Sequence, residues 1–328
     1  MISVDETLQN MEVWILSDGK VGHVNQSLGI AESLDISPEI IELKEKPYGK
    51  ILGRINGSMA VENKFAEPWP DMVIATGTLP ALVSGWIKQQ NPKTITVQMM
   101  TPPSKHYLYD IIATPLHDSI RKRNNIIHTI GSPNRITPQV LQEAKKKWKH
   151  EFLKMDNPLA ILIGGSNKYF TFNEEYAEKF AKDTIKFAEK HGFKSLLVTS
   201  SRRTGEEQIK IIEDIFAKSK LTIYFWNGEG ENPYSGYLSW AKAVLVTADS
   251  IGMISESCTV GLPICVYGIE HMKSKKFSRF FKALNAQKMI TKFSLNAGEF
   301  NAPANPLSDT KMVSGAVQAI ILKRNFVG

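Results

Sequence analysis

The sequence predicts an α/β protein built from two Rossmann-like parallel-sheet domains that face each other across an interdomain cleft. Three observations lead there. Short apolar, β-branched runs alternate with longer amphipathic ones along the chain, the pattern of βαβ units. The short runs are almost uniformly apolar, as strands covered by helices on both faces require. The pattern restarts after residue 155, and 328 residues is the length of about two domains.

The first series of strands is expected near residues 12–17, 39–43, 72–76, 94–98, 110–113 and 126–130. The second is expected near 159–164, 194–199, 221–225, 243–247 and 264–267. Helical patterns fall between them at 24–34, 81–90, 139–152, 174–190 and 206–217. Each half opens alike, with a strand running into a glycine-containing turn: Asp18-Gly19-Lys20-Val21-Gly22-His23 in one, Gly164-Gly165-Ser166-Asn167 in the other. The break is placed at Lys154-Met155-Asp156-Asn157-Pro158, where the proline disfavours helix at Asn157. The expected division is one Rossmann-like domain over 1–155, a second over 156–309, and a helix over 310–328 packing back on the first domain.

Composition narrows the function classes. With 42% hydrophobic and 22% charged residues the chain is globular, not disordered. A net charge of +7 is too mild for a dedicated nucleic-acid binder, so no nucleic-acid partner is expected. Residues 1–155 hold 18 Lys+Arg and 16 Asp+Glu, so most of the excess lies in the second half. Two basic runs, Lys145 to Lys149 and Lys273 to Lys282, read either as solvated helix surface or as contacts to phosphates or acidic lipid head groups. Cys258 and Cys265 form neither a disulfide framework nor a zinc pattern, which fits a reduced, cytoplasmic compartment. The polar start of the chain lacks a signal-peptide pattern, and no apolar run is long enough to span a membrane.

In open α/β sheets ligands bind beyond the carboxyl ends of the strands, so the residues after each strand carry the functional reading. After the strand ending at Thr247, Asp249 and Ser250 open a helix whose free N–H groups can receive an anion. Glu256, about two turns in, can accept two hydrogen bonds from vicinal ribose hydroxyls. Ser201-Arg202-Arg203-Thr204 at another helix start suits a diphosphate, because guanidinium groups pair bidentately with phosphate oxygens. Gly164, Gly165 and Ser166 allow close approach to the backbone. These loops together predict a nucleotide-diphosphate site. Neither G-x-G-x-x-G, nor a P-loop, nor G-x-S-x-G occurs. In the first half, Asp18, His23, His117 and Asp118 are the candidate general bases, each expected to face the cleft.

Taken in order, these segments resemble the mitochondrial-fission (elongated-mitochondria) family and its bacterial relatives. The resemblance runs from Ser17-Asp18-Gly19-Lys20 and Asn25-Gln26 through Pro115-Leu116-His117-Asp118 and Gly131-Ser132-Pro133-Asn134-Arg135. It continues in Gly164-Gly165, Ser201-Arg202-Arg203-Thr204, Asn232-Pro233-Tyr234 and Thr247-Ala248-Asp249-Ser250 to Ser255-Glu256. That family resembles a branch of the GT-B glycosyltransferases, similar to the enzyme that adds N-acetylglucosamine to the lipid-linked peptidoglycan precursor. The resemblance implies a GT-B-like fold, with a nucleotide-diphosphate-sugar donor as substrate rather than a cofactor, held by the domain over 156–309, and an acceptor held by the domain over 1–155. Glu256 would hold the donor ribose; Gly164, Gly165, Asp249 and Ser250 match the diphosphate region; Asn232 lies in the matched segment. A retaining enzyme would carry a Glu where Ala248 stands, which implies inversion. No DxD-type pair occurs, so no required metal is expected.

The expected function is therefore transfer of a sugar to a cell-envelope or similar acceptor, with His117 or Asp118 as first-choice base and Asp18 or His23 next. Two alternatives stay open. One is a nucleotide-sugar epimerase or hydrolase on the same fold. The other is a non-catalytic protein peripheral to the inner face of a membrane, docked through Lys273–Lys282.

Overall fold

The computed structural model describes residues 8–118, 123–226, 228–296, 298 and 300–327. The chain divides into two compact units, one reaching to Arg135 and resuming at Ser308, the other covering Ile136–Leu307. Each contains a six-stranded parallel sheet.

In the first unit the strands are β1 (Val13–Ser17), β2 (Glu39–Glu42), β3 (Met72–Thr76), β4 (Ile95–Met99), β5 (Ile111–Pro115) and β6 (Ile126–Thr129). Their order is β2-β1-β3-β4-β5-β6. The helices are α1 (Val21–Glu32), the single turn α2 (Gly49–Leu52) and α3 (Thr78–Gln90). β1, buried along its whole length, shows why its first four residues are apolar. Val13 and Ile15 pack with Ile30 and Ala31 of α1 and with Val313 and Val317, while Trp14 and Leu16 pack with Leu79, Leu82 and Val83 of α3. Successive side chains point to opposite faces, and each face has its own layer of helix.

In the second unit the strands are β7 (Pro158–Ile163), β8 (Ser195–Ser200), β9 (Thr222–Phe225), β10 (Ala243–Thr247), β11 (Ile264–Tyr267) and β12 (Thr291–Lys292). Its order, β12-β11-β10-β7-β8-β9, is that of a doubly wound nucleotide-binding sheet. The helices are α4 (Pro138–Lys147), α5 (Lys149–Phe152), α6 (Glu174–Lys190), α7 (Glu206–Phe216), α8 (Tyr234–Trp240), α9 (Ile251–Val260) and α10 (Lys275–Ala286). Leu159, Ile161 and Ile163 of β7 meet Phe180 and Phe187 of α6 and Ile212 and Phe216 of α7.

The unit boundary lies about twenty residues before the expected break at 155, and the reason is aromatic packing. Trp148 and Phe152 stack with ring centroids 5.7 Å apart, and Phe152 lies 5.0 Å from Tyr224 and 5.5 Å from Tyr237. A Cβ on Gly236 would sit 2.5 Å from the Trp148 ring, so the close approach of α8 requires glycine there. The helix expected over 139–152 thus belongs to the second unit, and it breaks into α4 and α5 at Trp148. The last helix, α11 (Asp309–Val327), belongs to the first unit. Asp309 accepts from the backbone N–H groups of Ile130 and Gly131 at 3.2 and 2.7 Å, and Thr310 exchanges hydrogen bonds with the Asn134 backbone.

Candidate functional site

β7 and β10 are neighbours, but the chain leaves them toward opposite edges of the sheet. That divergence opens a crevice at their carboxyl ends, where doubly wound sheets bind ligands. Three of the loops singled out from sequence converge on it.

Asp249 is their organising centre. Its side chain is buried, and both carboxylate oxygens are used within the protein. Oδ2 accepts from the Gly165 backbone N–H at 2.8 Å and from Arg203 Nη2 at 3.0 Å, and Oδ1 accepts from Thr247 Oγ1 at 2.7 Å. The Gly164 N–H in turn donates to Thr247 Oγ1 at 2.8 Å. The carbonyl of Gly164 accepts from the hydroxyls of Ser201 and Thr204. A Cβ on Gly164 would lie 2.2 Å from Asp249 Oδ2, and one on Gly165 would lie 2.1 Å from the Arg203 carbonyl oxygen. The close approach these two glycines allow is thus made by neighbouring loops of the protein itself.

The two arginines differ in the same way. Arg203 is half exposed and spent on Asp249 and on the carbonyls of Gly165 and Ser166, at 3.2 and 3.1 Å. It ties the loops together. Arg202 is exposed on the same turn. Ser250 caps α9, accepting from the Met253 N–H, so the first-turn N–H groups of Ile251 and Gly252 form the positive end of that helix. A Cβ on Gly252 would meet nothing within 4 Å, which leaves that end open.

Glu256 lies in the second turn of α9 and accepts a 2.5 Å hydrogen bond from the hydroxyl of Tyr234. Burial pushes its carboxyl up to about 7, and the Tyr234 hydrogen bond opposes that rise. Burial and the facing carboxylate hold the Tyr234 hydroxyl well above its ordinary value, so it remains a donor. Asn232 is exposed, and its Oδ1 accepts from the Tyr234 backbone N–H at 3.0 Å. It shapes the turn that delivers Tyr234. Sequence reasoning missed Tyr234 as a site residue, although it stood in the Asn232-Pro233-Tyr234 segment; the signal available was a phenol placed directly after a turn-forming Asn-Pro pair.

In the first unit, the corresponding crevice lies between β1 and β3, which are neighbours from which the chain diverges. Asp18 follows β1, and both its oxygens lie near His23 Nδ1, at 3.0 and 3.1 Å. It also pairs with Lys20. Burial works to raise the Asp18 carboxyl, but the Lys20 hydrogen bond and the charges of His23 and Lys20 outweigh it and hold it below its ordinary value. The His23 ring rests on Gly77, the residue after β3. A Cβ there would lie 2.7 Å from His23 Cε1, and Gly77 also has φ +94°. Gly77 is the second residue that sequence reasoning missed.

His117 and Asp118 stand apart from that pair, at the end of β5. His117 is only 2% exposed, so its ring is buried. Its Nε2 lies 3.6 Å from Asp118 Oδ1, too long for a hydrogen bond. Asp118 is more open and lies 3.4 Å from the Thr101 hydroxyl. The imidazole is buried although Leu116 beside it is 48% exposed, and a sequence run of Leu-His-Asp does not reveal that.

Two parallel six-stranded α/β sheets with crevices at their switch points define a GT-B-like fold. The glycosyltransferase SnogD from Streptomyces nogalater has this likeness at a TM-score of 0.53 and 11% identity, over 96% of this chain and 95% of that one. The UDP-GlcNAc 2-epimerase from Methanocaldococcus jannaschii has it at a TM-score of 0.55 and 14% identity, over 95% of this chain and all of that one. The sequence profile of the mitochondrial fission ELM1 family matches residues 21–321, and the chain belongs to that family. The mitochondrial fission protein ELM1 of Arabidopsis thaliana is 25% identical over 288 residues, which cover 80% of this chain and 66% of that protein, just under two thirds of its length.

Proposed function

We propose that the chain is an inverting glycosyltransferase that takes a sugar from a nucleotide-diphosphate donor and passes it to a hydroxyl of a cell-envelope or similar, lipid-linked acceptor. One observation carries this reading: Glu256 stands in the second turn of a helix whose capped, open N-terminus lies at the switch point of the second sheet. That spacing suits a diphosphate at the helix start and a ribose beyond it. A solved structure of the M. jannaschii epimerase, of the same fold at a TM-score of 0.51, contains UDP-GlcNAc and UDP, which agrees with a nucleotide-sugar ligand.

Each residue then has a task. Ionised Glu256 accepts hydrogen bonds from the ribose hydroxyls, and Tyr234 orients it. The α9 N-terminus and Arg202 meet the diphosphate, and Asp249, Gly164, Gly165 and Arg203 hold that loop set in shape. His23 is the general base, with Asp18 fixing its ring through Nδ1 and stabilising the imidazolium. His23 Nε2 takes the acceptor hydroxyl proton as that oxygen bonds to the anomeric carbon. The bond from that carbon to the diphosphate oxygen breaks, and the departing charge falls to Arg202 and the helix N-terminus. His117 and Asp118 support the neighbouring loop in this reading.

The test is consumption of UDP-, GDP- and CDP-sugars with and without a membrane lipid extract as acceptor source. The reading expects nucleoside diphosphate to be released only when acceptor is present. Release or sugar isomerisation without acceptor would move the assignment to an epimerase or hydrolase. No consumption of any donor would overturn it.

A further inference from the structure

One surface segment of the first unit is built the opposite way from an ordinary amphipathic segment. In residues 44–59 glycine recurs every four positions, at Gly49, Gly53 and Gly57, and this edge faces the protein. A Cβ on Gly49 would lie 2.2 Å from the Ala60 carbonyl oxygen, and one on Gly57 would lie 2.1 Å from that of Leu82. The backbone therefore rests directly on Ala60 and on α3. The large apolar side chains point the other way: Tyr48 is 79% exposed, Ile51 66%, Ile55 73% and Met59 40%. The core cluster beneath them contains Ala60, Leu82 and Trp86 but none of these four. A neighbouring loop is tied on by Lys105, whose Nζ donates to the Ile55 carbonyl at 3.3 Å, and it adds Tyr107 at 73% exposure.

Charge indicates what covers this patch. Lys44, Lys46, Lys50 and Arg54 lie within residues 44–59, with Lys105 alongside. The one acid in that stretch, Glu45, is paired with Lys50 at 2.8 Å. A second copy meeting this face symmetrically would oppose like charges. An anionic bilayer suits it: aliphatic and tyrosine side chains enter the head-group boundary while the ammonium and guanidinium groups stay at the phosphates. No helix among the described residues is long and apolar enough to cross a membrane, so contact would be made from the surface. The basic run expected to make such a contact, Lys273–Lys282, offers charge alone, because Phe277, Phe280, Phe281 and Leu284 of α10 are buried.

We propose that Tyr48, Ile51, Ile55 and Tyr107, with their basic rim, dock the protein on an anionic phospholipid surface. This does not depend on the nucleotide assignment. The test is co-sedimentation of the full chain with vesicles of phosphatidylcholine alone or with about one third phosphatidylglycerol. Three variants are compared: Ile51→Asn with Ile55→Asn, Lys46→Glu with Arg54→Glu, and Lys275→Glu with Lys282→Glu. The first two are expected to lower binding to anionic vesicles by about tenfold or more, with an unchanged unfolding midpoint, and the third to leave it intact. Three results would overturn the proposal: wild-type chain that does not sediment with anionic vesicles, patch variants that bind as wild type does, or self-association in ultracentrifugation that the patch variants abolish. The last would assign the face to a second copy.

Discussion

The Tyr234 hydroxyl donates to Oε2 of Glu256 at 2.5 Å, joining the first residue of α8 to the second turn of α9. The pair couples the proposed ribose contact to pH. Glu256 titrates near 7 in the folded chain, whereas an ordinary carboxyl of this type has a value of 4.5. Only the ionised carboxylate accepts fully from ribose hydroxyls, so affinity for a nucleoside diphosphate should rise as pH increases from 6 to 8. Calorimetric titration across that range should show the rise in wild type and a flat profile in Glu256→Gln. Tyr234→Phe removes a hydrogen bond that lowers the Glu256 value, so its profile should shift to higher pH.

The same raised value has a consequence for stability. The folded state favours the protonated carboxyl, so this contribution is present in full below about 4.5 and is lost as pH rises through about 7. Urea denaturation at pH 5 and pH 8 should show a larger loss of stability in wild type than in Glu256→Gln. An equal loss would mean that Glu256 is ionised throughout.

Arg202 and Arg203, adjacent in sequence, should separate by experiment. Arg202→Ala should weaken nucleoside-diphosphate binding by about tenfold, the effect of one charge-assisted contact, with unchanged stability. Arg203→Ala should lower both, because the guanidinium joins Asp249 to two backbone carbonyls. Asp249→Ala leaves the Gly165 N–H and the Thr247 hydroxyl without their acceptor and should cost about 2–3 kcal/mol in urea denaturation.

Gly77→Ala tests the first unit. The added carbon would displace the His23 ring, which it would otherwise meet at 2.7 Å, and it strains a backbone at φ +94°. Donor turnover should fall as it does in His23→Ala, while nucleotide affinity stays at the wild-type value. A fall in nucleotide affinity alone would remove His23 from the role of base.

The strands were legible because most are apolar runs between turn residues, and the expected spans lie on β1 through β11; β2, Glu-Ile-Ile-Glu at a sheet edge, is the least apolar of them. β12, with two residues, is too short to carry a pattern. The unit boundary was not legible: helix 139–152 looks like the end of one series of elements, and only the packing of Trp148 and Phe152 on α8 assigns it to the next. In the site, the loop positions could be read from strand ends, but the use of each side chain could not. Arg202 and Arg203 are equivalent as letters, and Asp249 gains its role from residues 46 and 84 positions away. Tyr234 and Glu256 are separated by 22 positions, beyond any local periodicity. His117, two residues after β5, is buried, which residue type alone does not reveal.

A nucleoside-diphosphate site at the switch point of the second sheet is open to direct measurement by calorimetric titration with UDP, GDP and CDP at pH 8. Saturable binding of at least one of them, reduced by about tenfold or more in Glu256→Ala, is the predicted result. Absence of binding by all three, or binding that Glu256→Ala leaves unchanged, would contradict it.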